Sequence, residues 1–424
     1  MNRHLRHSSG QIAILLALSI VVLMAFGALA MDVGYFQSDR RRMQSAADSA
    51  AIAGEREIVA GDGFSVTSAA QTDAGLNGFT NGTASVSVQV NNPPSSGSYS
   101  GDSSAVEVII SRPEPTRLLR VLGIDTVNVS ARAVAIEKGA PDCIYALDSS
   151  DEDAVVFVGA SLFYSNCGII DDSNSSEAMS FEIVSLIKAA SFGVVGNVGS
   201  FLISLVSPNP VTGIAPAPDP FAHRSQPALG ACDHINYQLP LLGNATINPG
   251  VYCGGITSPL ASVGTLTLNP GLYVIDGGGV QITGAAIIKN NTSGGDGNGG
   301  VTFFITGDST YPYRGVNLTG ATINLLNAPT SGPYESMLFM QDRSISSSVA
   351  SSNPNTIIGA SLAKYEGVLY FPTSSLIYAG ANLAAYTIIV ANKIQFPLAN
   401  VTRIYSDYSS LASGNPIKTA GLAE

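Results

Sequence analysis

Tryptophan is absent from this 424-residue chain, and charged side chains make up only 12% of it, about half the ordinary share. Cations are the scarcer sign: 20 Lys and Arg face 31 Asp and Glu, a net charge of −11. That balance excludes a nucleic-acid partner held through its phosphates. Histidine occurs four times, and beyond the N-terminus only His223 and His234 remain. The cysteines Cys143, Cys167, Cys232 and Cys253 contain no Cys-x-x-Cys and match no zinc spacing. No Gly-x-Ser-x-Gly offers a serine nucleophile. The glycine-rich Thr292–Gly300 lacks the Gly-Lys-Ser/Thr of a P-loop and the repeated Asp of calcium-binding repeats, so it reads as a loop. The chain carries no catalytic, cofactor or metal signature.

What it does have begins with IAILLALSIVVLMAFGALAM, an unbroken apolar run from Ile12 to Met31 without a charge. As a helix it rises ~30 Å, the thickness of a bilayer's hydrocarbon core. Arg3, Arg6, His4 and His7 precede it, which places the N-terminus in the cytoplasm and exports the rest. Arg40, Arg41 and Arg42 on the far side oppose that orientation, but a long following domain translocates largely regardless of charge. Ala28-Leu29-Ala30 is an Ala-x-Ala peptidase site, so a cleaved signal is the alternative to an anchor. Val33, Phe36, Met43, Ala47 and Ala50 continue at helical spacing with no breaker before Gly54. A helix running through the cleavage site suits a peptidase poorly and favours the anchor. For the exported part, an even cysteine count permits two disulfides. Sequence-near pairing, Cys143–Cys167 and Cys232–Cys253, is the simplest scheme, with four reduced buried cysteines as the alternative.

Gly10-Gln11 before the run, Asp32-Val33-Gly34 closing it, and Arg41, Gln44, Ala47, Asp48, Ala50 and Ala51 after it resemble the N-terminal segment of Tad-type (Flp) pilus-assembly proteins of the TadG-like kind. Leu15 stands where a prepilin places Glu, which argues against processing as a pilin. Residues 60–138 read as a small α/β module: a helix over Thr67–Leu76, strands over Ala84–Val90, Val106–Ile110 and Val127–Ile136, and a short helix over Thr116–Gly123.

From Cys143 the chain becomes repetitive. Asn248-Pro249-Gly250-Val251-Tyr252 recurs as Asn269-Pro270-Gly271-Leu272-Tyr273, and Gly359-Ala360-Ser361-Leu362 as Gly380-Ala381-Asn382-Leu383, both with a period of 21. Such a period marks a β-solenoid whose turns stack on their neighbours around one core, with Gly-Ala pairs at the corners; a β-sandwich is the alternative. Prolines from Pro208 to Pro227 make residues 207–229 an extended excursion over the solenoid surface. Ser344–Asn355 reads as an inserted loop, and Asn415–Glu424 as a blunt end to the last turn. CIYALD at Cys143, APAPDPF, NPGVYCGGI and GVLYFP also resemble the C-terminal half of some Tad-like proteins. The resemblance implies an exported, disulfide-bearing β-helix region tied to pilus biogenesis or the envelope. Members with a von Willebrand A-like domain carry Asp-x-Ser-x-Ser, but here Glu152 takes the last hydroxyl position after Asp148.

Glycoside hydrolysis needs two carboxylates across a sugar; Asp171-Asp172 is the only tempting pair, and Asp-Asp after a strand reads as a solvated turn. Asp148, Asp151, Glu152 and Asp153 read as an exposed acidic turn rather than a calcium site. Tyr and Phe stripes such as LYF and VLYF read as core, with glycan stacking as the other use. The expectation is a mainly β chain: an N-terminal transmembrane helix (1–58), a small α/β module (59–140), and a right-handed parallel β-helix, or solenoid (141–424). Its expected place is the bacterial inner membrane as a single-pass, non-enzymatic protein. Its expected partners are the membrane, through residues 12–31, and pilus-assembly proteins or pilus subunits. A secreted or surface adhesin binding glycans, or a β-helix enzyme acting on polysaccharides, is the alternative.

Overall fold

The computed structural model describes residues 9–61, 65–159, 162–182, 186–201, 205–259, 262–284, 286–291, 299–319, 324–359, 363–380, 384–397 and 401–424. The chain is mainly β behind one long apolar helix. It divides into two units: the N-terminal part to Lys138 together with Lys418–Glu424, and Gly139–Ile417 between them.

In the first unit, helix α1 (Ser9–Val59) is continuous from the apolar run onward. Gly54 does not end it; here the helix packs closely on its neighbours. A Cβ there would lie 3.1 Å from Val106 Cγ1 and 3.4 Å from Ala70 Cβ. Helix α2 (Val66–Leu76) and strands β1 (Ser87–Asn91), β2 (Ala105–Pro115) and β3 (Thr126–Gly139) follow. The three strands pair antiparallel in chain order. β1 begins later than its sequence alternation predicts, because Ala84 and Ser85 take left-handed φ values of 49° and 62° and form a turn. Inward-pointing Val106, Val108 and Ile110 alternate along β2 and bury with Met43, Ala47, Ala50 and Ala51 of α1.

The last strand, Lys418–Leu422, also borders β3. Val134 and Glu424 exchange backbone N–H···O bonds, the narrow pair of an antiparallel ladder. The C-terminal segment therefore completes this sheet and does not blunt the last turn of the repetitive region. Its motif carried no signal of that distant partner.

The second unit is built from parallel ladders. In the longest, strands stack in the spatial order Val211–Thr212, Phe192–Val194, Gly168–Asp171, Asp142–Ala146, then the first part of Thr387–Pro397. It continues through Lys364–Ala379, Met337–Gln341, Val301–Thr306, Gly271–Asp276, Gly250–Thr257 and His234–Gln238. A second ladder runs alongside, from Val198–Phe201 through Met179–Glu182 and Val155–Val158 to Val280–Thr283. Third-face strands form two further stacks.

The strands do not stack in chain order throughout. The first strand of the unit sits mid-stack against one of the last, Ile144 beside Ile389. From there the chain builds outward to Val211–Thr212, crosses to the opposite end at His234, and builds back to the seam. The crossing is the proline-rich segment, whose prolines bar it from a central strand.

Aromatic rings thread the interior: Tyr252, Tyr273, Phe303, Phe339 and Phe371 follow one another with centroids 5.9, 5.4, 5.1 and 6.2 Å apart. The 21-residue recurrence has a physical counterpart. Tyr252 and Tyr273 each donate a hydroxyl bond of 2.7 Å to the carbonyl of their own Asn, Asn248 and Asn269. Those asparagines join each other at 2.6 Å, and Asn291 continues the ladder at 2.7 Å. Tight corners are glycine pairs and triplets: a Cβ on Gly278 would fall 2.0 Å from the Gly254 carbonyl oxygen. The alanines of the predicted Gly-Ala corners (Ala160, Ala285, Ala321, Ala360 and Ala381) lie outside the described residues, as do residues 292–298. Ser344–Asn355 contains one helical turn, Ser347–Ser351.

Candidate functional site

The chemistry-bearing positions of the first unit collect where α1 leaves its apolar run. Every large hydrophobic described from Ile14 to Met31 is exposed, from 43% at Leu29 to 70% at Met31. Asp32, next in sequence, is buried. Its carboxylate accepts the backbone N–H groups of Arg117, Leu118 and Leu119 at 3.1, 2.9 and 2.7 Å. Burial raises its pKa, but the three N–H groups and the Arg117 charge outweigh it and hold the carboxyl below its usual value. Asp32 thus latches a tight turn, Leu119–Leu122, to the helix. One helical turn on, the Tyr35 ring carries the Arg117 guanidinium 4.9 Å from its centroid.

Further along, buried Asp39 pairs with Arg112 at 2.9 Å, and Arg112 also pairs with Glu114. Gln44 Nε2 donates to Asp48 Oδ1 at 2.7 Å and to the Arg132 carbonyl of β3 at 2.9 Å. Ala47, Ala50 and Ala51 are fully buried, because small side chains let the helix backbone approach the sheet. The motif from Gln44 to Ala51 is therefore the sheet-docking face of α1. Arg40, Arg41 and Arg42 are exposed.

Residues 10–70 match the family model for putative Flp pilus-assembly proteins, TadE/G-like. This segment is a Tad domain. No curated protein and no solved structure matches the chain. The Tad segment contains the apolar run, the Asp32 latch and the sheet-docking face. Together with the apolar helix it fits a membrane-anchored, pilus-associated protein, and the Tad pilus-assembly family is not an enzyme family.

The short helix predicted over Thr116–Gly123 is a single tight turn, Leu119–Leu122, and no functional role was assigned to it from sequence. Its signal is the interleaving of Arg117 and Arg120 with Leu118, Val121 and Ile124, all exposed.

In the second unit, the predicted site residues serve architecture. Cys143 is bonded to Cys167 and Cys232 to Cys253. The first bond joins the seam turn to the next, and the second ties the end of the crossing segment to the terminal turns. Asp171 and Asp172 are buried, not solvated. Burial pushes Asp171 up to about 7, and the neighbouring Asp172 and Asp148 charges add to the rise. Asp172 accepts the Ala217 N–H at 2.8 Å and so anchors the crossing segment.

Asp148 bonds Asn392 at 2.9 Å and Asp151 pairs with Lys393 at 2.5 Å, both across the seam. Asp153 accepts the Ser180 hydroxyl. Among the described residues no three His, Cys, Asp or Glu side chains gather as metal ligands. His223 lies on the crossing segment, where burial and then the Arg224 charge lower its pKa. His234 stacks on Tyr252 at the terminal turn, 4.6 Å between centroids. Tyr370 of the VLYF stripe is core, as are Tyr273, Tyr365 and Tyr378, which removes them as a glycan platform.

Proposed function

We propose that this is a non-enzymatic, single-pass envelope protein of a Tad/Flp pilus system, acting in assembly or as a minor pilus component. Its partners are pilus-assembly proteins or pilus subunits. The observation that carries the reading is α1 itself. One continuous helix joins an apolar run of bilayer length, exposed at every large hydrophobic described in it, to a buried, alanine-rich face that holds a sheet, and the family match covers both parts. Exposed Leu, Ile, Val, Met and Phe around a whole helix are stable only in lipid or against other apolar helices.

In this reading the N-terminus lies in the cytoplasm, the helix holds the bacterial inner membrane, and the remainder is exported. The second unit is a right-handed parallel β-helix with one rearrangement, the mid-stack start. Its parallel register from turn to turn supports the solenoid, and the general handedness of parallel connections supports the right hand. Its disulfides suit an oxidising compartment. The inward position of Asp171 and Asp172 supports a non-enzymatic role.

N-terminal sequencing of the mature, membrane-extracted protein tests the anchor: a start at Met1 or Asn2 is expected, and a start at Met31 overturns it. Deleting the gene is expected to abolish or shorten pili. Normal pili in number and length, with the protein absent from purified filaments, overturn the pilus role.

A further inference from the structure

We propose that the groove between α1 and the Arg117–Ile124 turn binds an acidic phospholipid, its acyl chain along the helix and its phosphate on Arg117 and Arg120. The inference rests on the reading of α1 as a membrane anchor. The groove has a volume of about 840 Å³ and is lined on the helix side by apolar residues from Val21 to Met31, on the turn side by Leu118, Leu119 and Val121. That size falls within the ~300–1,000 Å³ of ligand clefts. Val121 is 84% exposed, Ile124 45% and Leu118 38%. The turn cannot drift from the helix freely, because Asp32 holds three of its amides.

The turn's aliphatic side chains therefore lie beside residues that precede Asp32 in the run, at the depth of hydrocarbon. A second cavity, of about 410 Å³, is lined by Tyr35, Pro115, Thr116, Arg117 and Arg120. Tyrosine and arginine beyond the apolar stretch reproduce the layering of a membrane interface. Glu114, at the same strand end, is already paired with Arg112. The Arg117 guanidinium, over the Tyr35 ring and favouring the Asp32 carboxylate through its charge, lines this cavity with Arg120, and two cations there suit an external anion. An occupant that is apolar along one length and anionic at its end is a phospholipid. A second copy of the chain, side by side and parallel, would bring its own Arg117 and Arg120 to the same level and be repelled.

The chain has no tryptophan, so single Trp variants of the full-length protein report their own surroundings. Val121→Trp reports the turn, Phe26→Trp the apolar run, and Leu76→Trp a water-exposed surface. Each is reconstituted into vesicles of phosphatidylcholine, alone or mixed with phosphatidylglycerol, with brominated acyl chains on one lipid at a time. The expected result is a blue-shifted Val121→Trp emission, quenched like Phe26→Trp, and quenched more by brominated phosphatidylglycerol than by brominated phosphatidylcholine. Arg117→Ala with Arg120→Ala is expected to remove that excess while Phe26→Trp stays quenched by brominated phosphatidylcholine. Quenching of Phe26→Trp with Val121→Trp behaving like Leu76→Trp overturns the lipid groove, as does a shielded but unquenched Val121→Trp. Equal quenching by the two lipids overturns the acidic headgroup. An unquenched Phe26→Trp instead overturns the membrane anchor itself.

Discussion

Ala140 donates its backbone N–H to the Ile417 carbonyl at 2.9 Å, so the strand-rich unit starts and finishes at one point. The Asn415 side chain reinforces the junction, donating to the Ala140 carbonyl at 2.8 Å. Outside it, β3 runs to Gly139 and its neighbour starts at Lys418. The larger unit is thus inserted between two strands of the smaller one, the arrangement tolerated where both ends lie close together. Replacing residues 140–417 by a short Asn-Gly turn is expected to leave a membrane-held unit that unfolds cooperatively. Loss of the antiparallel sheet signal by circular dichroism would show that the insertion is needed for folding.

The crossing segment is held by few, specific contacts. Arg343 donates to the carbonyls of Phe221 and Arg224 at 3.3 and 2.7 Å. The Tyr370 hydroxyl donates to Asp219 at 2.6 Å, and Phe221 is buried edge-to-face on the Tyr370 ring. Removing one partner strands the other at a cost of ~1–3 kcal/mol. Arg343→Ala and Asp172→Ala are each expected to speed limited proteolysis between residues 214 and 230, with little change in global unfolding. Unchanged cleavage in both would mean that the prolines alone hold the segment in place.

How much of this was legible beforehand depends on the range of each interaction. The apolar run, α2 and the strands of the first sheet are local patterns, and the structure moves their ends by a few residues. The Asn248/Asn269 repeat also announced itself, because equivalent side chains stack. What sequence did not reveal was long-range order. Nothing local in CIYALD says that Ile144 will pair with Ile389, or that Lys418–Leu422 will return to β3. Asp171 and Asp172 misled for a related reason: the groups that make their burial tolerable, Ala217 among them, sit on a segment far along the chain. The short helix over Thr116–Gly123 was legible as a local element, but its latch to Asp32, some 85 residues away, was not.

The interior ring stack carries the longest continuous packing in the second unit. Phe303 is fully buried between Tyr273 and Phe339. Phe303→Ala is expected to cost ~3–5 kcal/mol through lost transfer energy and the cavity left behind. Phe303→Leu should recover much of it. Denaturant midpoints of the three proteins check the order, and an Ala variant as stable as the Leu variant would refute the stack as a source of stability.

Each disulfide closes a short loop, with sequence separations of 24 and 21 residues. Restricting the unfolded chain over such a loop is worth ~3 kcal/mol in the chain-entropy account. Cys143→Ala with Cys167→Ala, and Cys232→Ala with Cys253→Ala, are each expected to lower stability by about that amount. The second pair should in addition loosen the terminal turns around His234–Gln238, read as faster amide exchange there. Equal exchange in both double variants would show that the terminal turns do not depend on the Cys232–Cys253 bond.

Glu55 of α1 is fully buried, and neither carboxylate oxygen has a hydrogen-bond partner among the described residues. Burial first, then the charges of Glu137 and Asp102, push its pKa up to about 8. In the unfolded chain it titrates near the ordinary carboxyl value of 4.5. Between those values the folded state binds a proton that the unfolded state has released, so stability falls as pH rises. The contribution is fully present below the unfolded value and lost once the pH has passed the folded one. Glu55→Gln removes the titration. Against wild type, the variant is expected to gain stability by up to ~1.4 kcal/mol per pH unit on going from weakly acidic to weakly alkaline solution, and to level off above the folded pKa. Chemical denaturation across that range measures it. Parallel curves for the two proteins would mean that Glu55 reaches water in the folded state.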